Sequence, residues 1–328
     1  MSPIPRVQSP SGAKPRVFLV DDNRQFLDAL STMLIDDFEV VGAATDARQA
    51  LETMGDTSPD IVILDVEMPG VDGFETLRAL KQSPLRATPT VFLSMHDADE
   101  FVTEAFRCGA QGYVVKSRVS RDLVTALDQA LLGRAFVPSL TALSHVGSKG
   151  GHAIQLHRGA ESLLDGIAGF FELALRRGDA TCVIATKEVR EGLTDCLRAR
   201  GWDVGGTSGH KRYLAVDAHD ALNRFMRNGL PDPTCVALIA REMDQYRLAV
   251  GEGTPPRLTI FGNMVTLLCA EGNVKAMLAL ENLWTTLTEG LPVLTLCGYP
   301  TSCLHSHSPT VWSDVSAAHR TVTHAADV

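Results

Sequence analysis

Asp21 and Asp22 directly follow the apolar run Val17-Phe18-Leu19-Val20, and Asp65 follows Ile61-Val62-Ile63-Leu64. Ser94 ends the run Thr90-Val91-Phe92-Leu93, and Lys116 ends Gly112-Tyr113-Val114-Val115. If these runs are parallel strands of one sheet, three carboxylates, a hydroxyl and an ammonium meet at one sheet edge. Like charges about 4 Å apart repel by about 1 kcal/mol in water and about 4 kcal/mol near a protein surface. Such acids stand together only with a cation or with raised pKa values. Hard oxygen donors with room for water suit Mg²⁺. The set reads as a phosphoryl-transfer site. Asp65 is the nucleophile that forms an acyl phosphate. The cation and Lys116 neutralise phosphoryl oxygens, and Ser94 donates a hydrogen bond to one of them. Taken singly, Asp21 and Asp22 read as helix N-caps and Lys116 as a solvated lysine. Four matching strand ends in the same order outweigh that plainer reading.

The elements that must position these groups are legible between residues 16 and 132. Five short, β-branched runs lack strict alternation, as strands buried on both faces of a parallel sheet do. Amphipathic stretches at 24–34, 47–54, 73–81, 100–108 and 121–132 separate or follow them. This predicts a five-stranded, doubly wound α/β domain over 16–135, with its site at the carboxyl ends of the strands. Residues 1–15 read as a disordered leader and 136–151, rich in Gly, Ser and Pro, as a linker. A second alternating stretch follows over 152–322, with a tail at 323–328. Its expected strands are 152–156, 181–185, 213–216, 258–262 and 293–297. Its expected helices are 161–177, 187–200, 218–227, 234–250 and 273–291.

Composition bounds the rest. The chain has 328 residues, 45% hydrophobic and 21% charged, which suits two globular domains and excludes a disordered, collagenous or coiled-coil chain. A formal charge of −9 disfavours bulk nucleic-acid binding. Seven cysteines without a CxxC pair predict reduced thiols and a cytoplasmic setting. No apolar run approaches the roughly 18 residues that span a bilayer.

The stretches FLVDDN, IVILDVEMPGVDGFE, VFLSMH and AFRCGAQGYVVKS make residues 16–135 resemble the CheY-like receiver domain of two-component response regulators. The resemblance implies Asp65 as phosphoacceptor, Asp21 and Asp22 as metal-binding acids, and Ser94 and Lys116 as the switch pair around Mg²⁺. It also implies that Glu67 lends a backbone carbonyl to the metal, and that the Glu67 and His96 side chains tune hydrolysis of the acyl phosphate. Pro69 and Gly70 shape the loop after Asp65. Tyr113 sits at the aromatic switch position and is expected to swing inward into space that Ser94 leaves. A modification adding about −1.5 to −2 charge would bias that element. The GAxGYVxKS ending resembles receivers that usually carry a helix-turn-helix output, yet no basic three-helix segment follows Leu132.

In the second half a phosphate loop GxxxxGK[ST] is expected after the strand 181–185, but the chain reads ATKEVREG. Lys187 is present without the glycines that would wrap a phosphate, so it reads as a solvated first-turn residue. Cys297, Cys303, His305 and His307 fall close together without a recognisable zinc spacing. Cys182, Cys235, Cys269 and Cys297 read as small core residues, and no base partner for a cysteine nucleophile is visible. The stretches HAIQLHRGAESLLDGIAGFFELALRRGDATCVIAT, YLAVDAHDALNRFMRNGLPD, RLTIFGNMVTLLCAEGNVKAMLALENLWTTL and LPVLTLCGYP resemble the MEDS domain, a sensory domain of methanogens and methylotrophs. The resemblance implies a RecA-like α/β domain with a degenerate phosphate loop that senses small hydrocarbon derivatives. This chain has Gly262-Asn263-Met264 where that family usually has Gly-Glu-Met, so Asn263 keeps hydrogen bonding and loses the charge. The positions singled out are His152, Asn263, Glu281, Trp284, Cys297, Tyr299 and His319.

The expectation is therefore a response regulator without catalytic output. It is phosphorylated by a cognate sensor histidine kinase or phosphotransfer protein. It signals through a domain that binds an output protein or small ligand, with a homodimer as a further candidate assembly. The alternatives are a receiver-gated, RecA-like enzyme that uses nucleotide and a transcriptional regulator.

Overall fold

The computed structural model describes residues 13–139, 151–157, 159–204, 211–251, 254–305, 309–319 and 321–324. Residues 1–12 of the leader expected at 1–15, 140–150 of the linker expected at 136–151 and 325–328 of the tail expected at 323–328 lie outside them. Ala13–Pro15 are described: Lys14 Nζ donates to Ile35 O at 2.8 Å, and Pro15 O accepts from Glu39 N. The chain divides into two compact units that part at Pro138.

The first unit alternates β1 (Arg16–Val20), α1 (Arg24–Leu34), β2 (Glu39–Ala44), α2 (Ala47–Thr57), β3 (Ile61–Asp65), α3 (Gly73–Lys81), β4 (Thr90–Ser94), α4 (Asp99–Arg107), β5 (Gly112–Val115) and α5 (Val119–Leu131). A short strand, β6 (Ala135–Val137), then pairs with β5 where a linker was expected to begin. The sheet order is β2-β1-β3-β4-β5-β6, and its ladders are parallel. Strands β3 and β4 are buried along their whole length, which is why they lack polar alternation. Helix α1 buries Leu27, Leu30 and Leu34, the 3- and 4-residue spacing of one helix face. Each such leucine contributes about 1.5–3 kcal/mol of burial.

The second unit runs β7 (Gly151–His157), α6 (Ala160–Arg176), β8 (Ala180–Ala185), α7 (Lys187–Ala199), β9 (Tyr213–Asp217) and α8 (Ala218–Phe225). The small hairpin β10 (Met226–Arg227) and β11 (Leu230–Pro231) follows, then α9 (Pro233–Ala249), β12 (Leu258–Gly262), α10 (Met264–Ala270) and α11 (Val274–Thr288). The unit ends with β13 (Val293–Pro300), α12 (Thr301–His305), α13 (Pro309–Ala317) and β14 (Thr321–His324). Its parallel sheet has the order β14-β7-β13-β12-β8-β9. The helix expected to reach Arg227 stops at Phe225, because Asn228 (φ 52°) and Gly229 (φ 78°) take the left-handed conformations that an Asn-Gly hairpin turn uses.

Cys269 and Cys303 form a disulfide, with Cα atoms 6.6 Å apart. This corrects the expectation that all seven thiols are reduced. The fold sets α10 beside α12, although 34 residues separate the two cysteines, so no local pattern marks the pair. Cys108, Cys182, Cys196, Cys235 and Cys297 are free. Trp202, Trp284 and Trp312, the three tryptophans of the chain, all belong to the second unit. Among the described residues no helix is long and apolar enough to cross a membrane.

Candidate functional site

The parallel register of the first unit puts the ends of β1, β3, β4 and β5 side by side. Asp21, Asp65 and Ser94 are 1%, 2% and 0% exposed, while Asp22 is exposed. Carboxylate oxygens of Asp21, Asp22 and Asp65 lie within 4.8 Å of one another. Neither aspartate after β1 caps a helix. That role falls to Asn23, whose Oδ1 accepts from Phe26 N, while Asp21 Oδ1 accepts from Asn23 N at 2.9 Å. Lys116 Nζ donates to Asp65 Oδ2 at 2.8 Å and lies 2.7 Å from Asp21 Oδ2, with the Phe26 ring beneath it. The approach to Asp21 is off hydrogen-bond alignment, and that buried oxygen is left without a hydrogen bond.

Burial pushes the Asp65 carboxyl up to about 6, against the lowering influence of Lys116. Burial alone would lower the Lys116 ammonium, but Asp21 and Asp65 outweigh it and hold its pKa above the ordinary value. One ammonium thus serves two buried carboxylates, a deficit of positive charge. The Asp21 oxygen, ion-paired but without a hydrogen bond, and the all-oxygen donor set fit a hard divalent cation such as Mg²⁺.

The loop after β3 is tied down closely. Gly73 N donates to Val66 O at 2.9 Å. A Cβ on Gly73 would stand 2.1 Å from Asp65 O, so only glycine lets α3 start this close to the strand end. Gly70 takes φ +84°, and Asp72 caps α3 by accepting from Glu75 N at 2.7 Å. Glu67 Oε1 and His96 Nε2 are 2.8 Å apart at the exposed rim. His96 stacks on Phe101 with centroids 4.4 Å apart. Ser94 Oγ accepts from His96 N at 3.0 Å.

Tyr113, the expected aromatic switch residue, lies on β5 beside Ser94 of β4. It is fully buried, and its hydroxyl donates to His96 O at 2.8 Å. Burial pushes that phenol up to about 12.

In the second unit, alternation places Thr295, Cys297 and Tyr299 on one face of β13, and the register pairs Thr295 with His152 of β7. Helix α11 covers that face with Glu281, Trp284 and Thr285. Glu281 is 1% exposed and is the hub of the group. Tyr299 OH donates to its Oε1 at 2.5 Å, and the Cys297 thiol lies 3.6 Å from its Oε2. His152 Nε2 is 3.2 Å and His319 Nε2 3.3 Å from that same Oε2. Burial alone would raise the Glu281 carboxyl, but the two imidazoles outweigh it and hold it well below the usual carboxylate range. Burial and then Glu281 push the Cys297 thiol and the Tyr299 phenol up. Trp284 Nε1 donates to Thr295 Oγ1 at 2.8 Å. Glu281, Cys297 and Trp284 also border a mostly apolar cavity of about 40 Å³ among Ile260, Val236 and Phe225.

Five of the seven singled-out residues therefore converge, and Trp284 stands beside them. Asn263 stands apart: its Oδ1 accepts from Thr186 N at 3.3 Å and joins the ends of β8 and β12. Cys297 does have an imidazole neighbour, since His152 Nε2 lies 3.1 Å from its Sγ. The sequence pattern hid that pairing across 145 residues. Cys303 is taken by the disulfide rather than free beside Cys297. The His305 side chain and His307 lie outside the described residues. Lys187 is 70% exposed beside Glu191, as expected of a solvated lysine.

A family model for the response regulator receiver domain matches residues 17–128, and a model for the MEDS domain (methanogen/methylotroph, DcmR sensory domain) matches residues 151–320. The chain belongs to the MEDS family and carries a receiver domain. The nitrate/nitrite response regulator protein NarL of Escherichia coli is 35% identical over 140 residues, 40% of this chain and 64% of NarL. The transcriptional regulatory protein DegU of Brevibacillus brevis is 30% identical over 131 residues, 39% of this chain and 55% of DegU. The chain thus spans less than two thirds of the length of either relative. A LuxR-family two-component response regulator from Aurantimonas has a solved structure that is 33% identical. It covers 41% of this chain and 96% of that one, with a TM-score of 0.38. The receiver and MEDS matches fall within the two compact units.

Proposed function

We propose that this receiver–MEDS chain is a phosphorylation-dependent response regulator that accepts a phosphoryl group on Asp65. The observation that carries this reading is the sharing of one ammonium, Lys116, between the buried carboxylates of Asp21 and Asp65. Such a cluster gains from a divalent cation and from a group that moves charge outward. Asp21, Asp22, Asp65 and the Glu67 carbonyl would hold Mg²⁺, which supplies neutralising charge to phosphoryl oxygens when bound. The Asp65 carboxylate, ionised above about pH 6, attacks phosphorus of a phosphohistidine on a sensor kinase or phosphotransfer protein. An O–P bond forms, the N–P bond breaks, and the imidazole keeps the electron pair. Lys116 turns from Asp21 toward the new phosphoryl oxygens, and the Ser94 hydroxyl donates to one of them. Glu67 and His96, paired at the rim, control access of the water that later hydrolyses the acyl phosphate.

Charge delivered beside Ser94 and His96 acts on the Tyr113–His96 hydrogen bond, and hence on β4, β5 and α4. The MEDS domain is the output, binding a protein or a small ligand, with no catalysis beyond the chain's own phosphorylation and dephosphorylation. The relatives named as transcriptional regulators share only the first two fifths of the chain's length.

Intact-mass spectrometry after incubation with acetyl phosphate and Mg²⁺ tests the proposal. One phosphoryl increment is expected on the wild type, lost without Mg²⁺ and absent in Asp65→Asn. An unchanged mass, or labelling that survives Asp65→Asn, refutes it.

A further inference from the structure

The buried group in the MEDS domain has a geometry that hydrogen bonding alone does not account for. Thr285 Oγ1 donates its single hydrogen to Ala318 O at 2.8 Å, so it accepts from His152 Nδ1–H at 2.7 Å. His319 Nδ1 lies 2.7 Å from Val315 O, a carbonyl that can only accept. Each neutral imidazole therefore has its N–H on Nδ1 and presents a lone pair at Nε2. Both lone pairs face Glu281 Oε2, at 3.2 and 3.3 Å, itself a lone-pair oxygen; the single S–H of Cys297, 3.1 Å from His152 Nε2, can serve that imidazole but leaves His319 Nε2 without a donor. Repulsion of this kind persists in a folded core only if positive charge lies among the atoms.

Two arrangements supply it: protons on the imidazoles, or one shared cation. The alignment favours the cation. His319 is 2% exposed, and its Nε2 makes no hydrogen bond despite standing 3.3 Å from the carboxylate. A protonated Nε2 would aim its hydrogen along the line to Oε2. A ligating Nε2 aims at a common centre.

The spacing agrees. Bonds of 2.0–2.3 Å to zinc place the corners of a tetrahedron about 3.3–3.8 Å apart. His319–Glu281 at 3.3 Å and Cys297–Glu281 at 3.6 Å fall in that range, and the two His152 pairs, 3.1 Å to Cys297 and 3.2 Å to Glu281, are shorter than it by 0.2 Å or less. All four ligand atoms fall within 4.8 Å of one another. Tyr299 and Thr285 then orient Glu281 and His152 from outside, the usual outer-shell support of a metal site.

We infer that His152, Glu281, Cys297 and His319 bind one divalent transition-metal ion of the zinc class inside the MEDS domain. Two nitrogens, a sulfur and a carboxylate oxygen form a borderline-soft donor set that selects against Mg²⁺ and Ca²⁺. On binding, the Cys297 S–H bond breaks, its proton goes to solvent, and sulfur keeps the electron pair for the metal. The thiolate and the carboxylate then balance the dication, so the core holds no net charge.

The test is metal analysis of the full-length chain, expressed with zinc in the medium and desalted, alongside cobalt substitution. The expected result is about one zinc per chain. Cobalt-loaded protein should show a near-ultraviolet thiolate-to-cobalt band, which the all-oxygen acidic cluster of the receiver cannot produce. Cys297→Ser should abolish that band. Tyr299→Phe, which keeps all four ligands, should weaken metal retention by about 10- to 100-fold. Asn263→Ala, outside the group, should retain metal and band alike. Wild-type protein that holds no zinc and gives no thiolate band with cobalt overturns the inference, as does a band that survives Cys297→Ser. None of these readings depends on Asp65, so this site and the phosphoacceptor stand or fall separately.

Discussion

Replacing Asp65 by Asn exposes how much the acidic cluster costs the receiver. The Asp65 carboxyl holds its proton up to about pH 6, while an unfolded aspartate releases it near 3.8. Between those limits the folded chain carries more protons than the unfolded one, so stability falls as pH rises through the window and stays low above it. At about 1.36 kcal/mol per pKa unit, the interval from 3.8 to about 6 corresponds to about 3 kcal/mol. Asparagine has nearly the same shape without the charge, and Lys116 keeps Asp21 as partner. We expect Asp65→Asn to be more stable than wild type by about 1–3 kcal/mol at pH 7.5 without Mg²⁺, the loss of its Lys116 hydrogen bond taking the remainder. That raises the midpoint of the receiver transition by about 4 °C per kcal/mol. By pH 4.5 about two thirds of the advantage should be gone, because wild-type Asp65 has taken up its proton. Mg²⁺ should narrow the gap at pH 7.5 by binding wild type more tightly. Differential scanning calorimetry of the full chain reads this, the receiver transition being the one that Mg²⁺ moves. A variant less stable than wild type at pH 7.5, or a difference that ignores pH, would refute the burial argument.

Lys116→Met leaves Asp21 and Asp65 facing each other without their ammonium. A loss of about 3 kcal/mol at pH 7.5 is expected, with the Asp65 titration seen by carboxyl NMR moving above about 6. Gly73→Ala drives a methyl into the Asp65 carbonyl. Urea unfolding should show a loss of about 2 kcal/mol or more, and an unchanged midpoint would mean the loop reshapes freely. Tyr113→Phe removes the bond to His96 O and should cost about 1 kcal/mol in the same assay. In the MEDS domain, Arg257→Leu strips the guanidinium from the buried Asp179 and leaves it Thr259. The second calorimetric transition should lose about 3 kcal/mol, and the first should stay put.

Much of the fold was legible because parallel strands buried on both faces announce themselves as short β-branched runs. Helices 24–34 and 73–81 and strand 258–262 fall where their patterns put them. The acidic site was legible for a related reason. Strand ends are sequence positions, so Asp21, Asp65, Ser94 and Lys116 could be aligned once the strands were known. The pieces that escaped have little pattern of their own. β6 has three residues and β14 four, too few to show a period. The Cys269–Cys303 bond and the group around Glu281 join residues 16 to 145 positions apart, on elements that the fold brings together. His152, Glu281, Cys297, Tyr299 and His319 were each singled out, but nothing in their spacing said that one carboxylate gathers the other four. The imidazole beside Cys297 comes from a residue 145 positions away and leaves no local pattern either.

The placement of the tryptophans has a practical consequence. Indole emission excited near the red edge of the absorption band originates wholly in the MEDS domain, since Trp202, Trp284 and Trp312 all lie there. The receiver therefore contributes no indole of its own to the optical signal. A change in that emission when the receiver is labelled reports the response of the MEDS domain. Trp284, whose indole N–H is fixed to Thr295 at the wall of the cavity, is a native beacon for such a response and needs no attached dye.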